Sequence, residues 1–179
     1  MFKLFGKAGK IELSKKISDL SVEASEQFLN YLKEDLELYS KCINENPIRI
    51  TSMLFMINIY RDILNSKYNA DDVFSVVYTT IMSLSPNEKS GELFMKSFNE
   101  YMKSCNEATN YYKQFSQFDI TEVLTKVFFG LVIDDREYIQ NELEESIPKT
   151  SSFKKIYSYI DGVLKHTNIL NEEYKLRLK

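Results

Sequence analysis

A chain of 179 residues is close to the size of one domain and can bury about 70% of the surface its unfolded form exposes. With 44% hydrophobic residues, 12 Phe and 12 Tyr, it has ample core material, which excludes a natively disordered chain. A net charge of −3 and a pI near 5.4 speak against nucleic-acid binding, which draws its affinity from Lys and Arg on phosphates, and only 5 Gly and 3 Pro leave too few turn residues for a β sandwich.

Residues 1–17 hold Gly6 and Gly9, and Lys3, Lys7, Lys10, Lys15 and Lys16 stand there against Glu12 alone. That pattern predicts a mobile basic tail, with a helical domain over 18–179. Phe2, Leu4 and Phe5 among these lysines make the tail the one expected point of membrane contact. A first helix is expected from Ser18 or Ser21 to Asn44, because Phe28, Leu32, Leu36, Tyr39 and Ile43 recur at steps of four and three.

Pro47 then opens a second helix to about Ser66. From Met53 to Leu64 it is apolar nearly all round, the mark of a central helix, although Asn58 interrupts the run. Asn69, Asp71 and Asp72 cap a third apolar helix to about Leu84, where β-branched residues make a strand conceivable. Together the second and third form a central apolar hairpin.

Ser85 and Glu88 form a capping box for the longest helix, to about Ser116. Phe94, Phe98, Tyr101, Cys105, Ala108, Tyr112 and Phe115 form its seam. Asp119 with Glu122, and Asp134 with Glu137, repeat the capping pattern for two more helices, the latter ending before Pro148. Ser151 or Ser152 caps a seventh bearing Phe153, Ile156, Tyr157, Ile160, Val163 and Leu164, and Asn171 opens a short last turn. The expected architecture is an all-α, single-domain bundle of six to eight helices.

Chemistry-bearing motifs are scarce. His166 is the sole histidine and sits where a helix ends, so it reads as a helix-terminal residue and leaves no HExxH zinc site. No phosphate loop of the GxxxxGK[ST] or GxGxxG kind occurs, and Gly91, Gly130 and Gly162 stand singly in helices, as at close packing or kinks. The carboxylate pairs Glu34-Asp35, Asp71-Asp72, Asp134-Asp135 and Glu144-Glu145 fall at helix starts or on solvated faces. Cys42 and Cys105 lack CxxC spacing and read as buried thiols of a reducing compartment, and no signal peptide is visible; a cytoplasmic location is expected.

No catalytic, metal-binding or cofactor-binding residue emerges, and no enzyme is expected. By elimination the leading expectation is a non-catalytic protein-interaction module of regulatory, adaptor or toxin-neutralising type, with another protein as partner. A small-molecule or lipid-binding bundle is the alternative, since an aromatic- and Met-rich core can enclose a cavity. An enzyme working through carboxylates comes third.

Overall fold

The computed structural model describes residues 2–65, 73–78, 88–113, 119–144, 150–166, 169 and 172, with the side chains of 2–8, 65, 88–95, 97 and 144 excepted. The chain is all-α. Helices α1 (Phe2–Lys33), α2 (Leu36–Tyr39), α3 (Glu45–Asn65), α4 (73–78), α5 (Glu88–Tyr112), α6 (Ile120–Val132), α7 (Arg136–Tyr138) and α8 (Ser151–Lys165) follow in order. A π-helical turn, Ile139–Glu144, continues α7. Among the described residues, the one β-type pairing is an isolated antiparallel bridge between Cys42 and Ile133.

The centre of the bundle is α3. Every residue from Leu54 to Tyr60 is buried, Asn58 included, so this helix is enclosed on all sides as its apolar run predicts. Val73, Phe74 and Val77 of α4 are also buried. The connection 66–72 lies outside the described residues, and with it the expected hairpin.

A second buried helix, α6, crosses near α3. Phe128 on α6 meets Phe28 of α1 edge-on at 4.9 Å and Phe55 of α3 at 5.6 Å. Its neighbour Phe129 stacks on Phe153 of α8 at 5.4 Å. These rings tie four helices through one aromatic cluster. A Cβ at Gly130 would stand 2.6 Å from the Tyr112 hydroxyl, so this glycine marks a close approach of α6 to α5.

The seam of α5 is as expected where it is described. Phe98, Cys105 and Tyr112 are buried, and Tyr101 and Ala108 pack against the core. The side chain of Phe94, and Phe115 altogether, lie outside the described residues.

Three expectations are corrected. The mobile tail of 1–17 is replaced by helix from Phe2, and Leu13, Ser14 and Ile17 are buried, so the folded domain reaches well before residue 18. The buried stripe of α1 is easy to miss because it is half serine: Ser14, Ser18, Ser21 and Ser25 alternate with Leu13, Ile17 and Ala24. Each hydroxyl reaches a carbonyl three or four residues back, at 2.7 to 2.9 Å, so burial leaves it satisfied. Ser14 also lies 3.0 Å from Val73 O of α4.

The first helix does not continue to Asn44. The Asp35 carboxylate accepts the Leu38 N–H at 3.1 Å and caps α2, so the chain turns at residues 34–35. Leu36, placed on the buried stripe by periodicity, is 78% exposed, and Leu38 is buried instead. At the other end of the chain the cap is Asp135 rather than Asp134. Its carboxylate accepts from Tyr138 N and also from Lys41 Nζ at 3.1 Å, which draws α7 against the 41–43 segment.

One prediction separates the tail reading from the observed helix. Leu13→Ala should destabilise the protein by about 2–5 kcal/mol, as for a buried leucine. Ile11→Ala, at a half-exposed position, should stay within about 0.5 kcal/mol. Urea unfolding of both variants reads the difference, and equal midpoints would restore the solvated tail.

Candidate functional site

The sequence names no site residue, and the structure brings a set of polar groups together in a place that motif reading does not reach. On α3, Asn58 and Asp62 stand one turn apart. On α5, Asn106, Thr109 and Asn110 share a face that continues into Lys113, whose backbone N–H still bonds Thr109 O. Between these two faces lies a cleft of about 620 Å³, closed on its other sides by Ile120 and Leu124 of α6 and by Leu164 of α8. That volume falls in the usual range of small-ligand sites. The walls are carboxamide, carboxyl, hydroxyl and ammonium set among aliphatics, not the Phe, Met and Tyr lining expected of an apolar cavity.

The decisive group is Asn58. It is 5% exposed, yet its Oδ1 meets no donor among the described residues. Its Nδ2 makes only a weak 3.6 Å contact with the Cys105 thiol. A buried acceptor without a donor is rare in folded proteins and asks for a physical reason. Sequence reading did carry the signal, since Asn58 is the one polar residue inside the run 53–60.

Asp62 also lines the cleft, with a side chain that is exposed overall. Burial raises its carboxyl above the usual range, opposed by Arg61. Neither Asp62 nor Lys113 forms an ion pair with any described residue, although both line the cleft. The Cys105 thiol behind Asn58 is pushed up, by burial first, and so stays protonated and unreactive.

The other candidates have structural work to do. Glu34 pairs with Lys155, Asp35 and Asp135 serve as caps, and Asp71, Asp72 and Glu145 lie outside the described residues. Cys42 is half-buried, donates to Leu38 O, and has its pKa raised to about 11 by burial. His166 is the exposed C-cap of α8. Among the described residues no group of three or more His, Cys, Asp or Glu side chains could hold a metal ion, and no helix is long and apolar enough to cross a membrane. The interfacial anchor expected of Phe2, Leu4 and Phe5 rests on side chains outside the described set.

A second concavity, about 410 Å³, runs between α1 and α8 over Tyr60. Leu20, Tyr159 and Val163 line it, with Lys16 and His166 at its edge. Gly162 lies in its wall, and a Cβ there would meet nothing within 4 Å.

Two substitutions test the cleft as a place where stability is given up. Asn58→Leu removes the unpaired acceptor while keeping a branched side chain of four heavy atoms, so the ligand-free variant should gain about 1–3 kcal/mol. A loss would show that the amide is structurally partnered. Because the folded Asp62 carboxyl is raised, its favourable contribution is fully present at acid pH and fades as pH climbs through the folded value. Asp62→Asn should therefore melt above the parent at neutral pH, with the gap closing on acidification; a gap that widens at low pH would contradict the direction of the shift. Comparison of the chain with protein-family models, with curated proteins and with solved structures finds no match, so the chemistry of the cleft is argued from its own residues.

Proposed function

We propose that this chain is a non-catalytic binding module whose ligand is a small polar molecule held in the cleft between α3, α5, α6 and α8. The observation that carries this is the buried, donorless Oδ1 of Asn58 in the wall of a cleft large enough for a ligand. A ligand donor that displaces the side chains covering that oxygen satisfies it, and the aliphatic side chains of Ile59, Ile63 and Leu124 shield the bond from water. Absence of catalysis is supported by the cleft's inventory: its one hydroxyl, on Thr109, donates to Cys105 O at 2.7 Å within α5, and its one carboxyl and one ammonium complete no nucleophile–base pair.

Protein interaction remains the second reading, and one observation favours it. The groove between α1 and α8 is apolar, and Gly162 leaves its wall open where any larger residue would fill it. Glycine inside a helix is unfavourable by about 1 kcal/mol relative to Ala, so space there is kept at a cost to stability. An apolar segment of a partner protein suits such a groove.

The test is native mass spectrometry of the purified chain after incubation with the small-molecule fraction of a cell extract. The parent should carry a non-covalent adduct that Asn58→Leu loses and Gly162→Leu retains. Identical spectra for the parent and Asn58→Leu would refute the cleft as the binding site.

A further inference from the structure

The groove between α1 and α8 has two unlike ends, and the packing of the two helices says where each lies. Ser152 Oγ donates to Tyr31 O at 2.6 Å, and Phe28 meets Tyr159 edge-on at 5.2 Å, so the helices run antiparallel. Moving back along α1 from Phe28 to Leu20 and Lys16 therefore moves forward along α8, past Gly162 and Val163 to His166. Ile169 joins them there, because its N–H bonds His166 O at 3.0 Å. The Lys16 ammonium and the His166 imidazole thus share one end, both on exposed side chains, and no carboxylate is among the described lining residues.

From that end the groove runs about 10 Å along α8, the helical rise between His166 and Tyr159. Leu20 and Val163 wall it over this length, Tyr60, only 3% exposed, lies beneath, and Gly162 leaves its space open. A trough of this kind matches a molecule in two parts. A methylene chain laid in it leaves water, and the gain grows with the apolar surface it hides. An anionic head stays hydrated at the open end, where a lysine and a histidine each have an N–H to donate. A neutral apolar ligand matches the trough alone, and a cationic one meets like charge.

We propose that this groove binds a free single-chain carboxylate amphiphile, its acyl chain lying along Leu20, Val163 and the space left by Gly162, its carboxylate on Lys16 and His166. This goes beyond the polar-ligand reading, whose cleft shares no lining residue with the groove.

The probes are decanoate, octanoate and decanol, each kept monomeric and titrated calorimetrically into the full chain. Decanoate should bind saturably at one site, and octanoate, two methylenes shorter, about tenfold more weakly. In Gly162→Leu the new side chain fills the trough and both ten-carbon probes should be lost, while a melting temperature no lower than the parent's shows the fold intact. Joint replacement Lys16→Gln and His166→Gln should weaken decanoate about fivefold, as for exposed ion pairs, and leave decanol unchanged. Decanoate binding that survives Gly162→Leu undiminished overturns the site. Unchanged decanoate affinity in the glutamine variant overturns the charged end. An absence of saturable decanoate binding by the parent overturns the whole proposal and leaves the groove to a partner's apolar segment.

Discussion

Seven consecutive buried residues, Leu54 to Tyr60, cover about two turns of helix, and along that length α3 has no face left for solvent. The rest of the fold answers to this constraint. α1, α5 and α6 all pack on α3, and the aromatic cluster of Phe28, Phe55, Phe128 and Phe129 fills the angles between them. Enclosure also sets the terms for any polar group on α3. Ser52 meets them by bonding Ile48 O at 2.7 Å, within its own helix. The Asn58 Oδ1 can only accept, the N–H groups around it are taken by the helix itself, and its acceptor is left over.

The contrast with Lys126 sharpens the point. That lysine is 1% exposed, a far more demanding group to bury than a carboxamide. Yet it is answered in place: Glu122, one turn earlier on α6, meets its ammonium at 2.8 Å. Removing either partner would strand a charge, at about 3–5 kcal/mol. The interior thus tolerates a full charge where a partner is supplied and, a few ångströms from a cleft, keeps a neutral acceptor without one. A fold able to satisfy Lys126 is not short of means to satisfy Asn58, and that makes the unpaired amide informative.

The ends of the bundle are joined by smaller devices. Ile43 N bonds Val132 O and Asp134 N bonds Lys41 O, each at 2.8 Å, so the segment after α2 and the segment after α6 are sewn together by backbone. Lys41 reinforces this from its side chain, pairing with Asp135 and lying 5.3 Å over the Tyr138 ring. Near the opposite side of α6, Tyr157 donates to the Asp119 cap at 2.7 Å, a bond that holds the carboxyl below its usual range. Caps in this protein do double duty, closing a helix and holding a neighbouring one.

Periodicity and capping were enough to determine the all-α class, the central place of α3, the described part of the seam along α5 and the Asp119 cap, because each depends on neighbours within one or two turns. Tertiary structure decided what local pattern could not. Whether a serine stripe is buried depends on whether another helix lies against it, so the N-terminal half of α1 reads as tail until its packing is seen. Whether Leu36 is core depends on a bend that a single side-chain cap at Asp35 imposes. The cleft is the clearest case. Its polar residues come from two segments more than forty positions apart, no spacing rule links Asn58 and Asp62 to Asn106 and Lys113, and only the docking of α5 on α3 sets them face to face. The sequence determined that Asn58 would be out of place; the tertiary structure determined what it is beside.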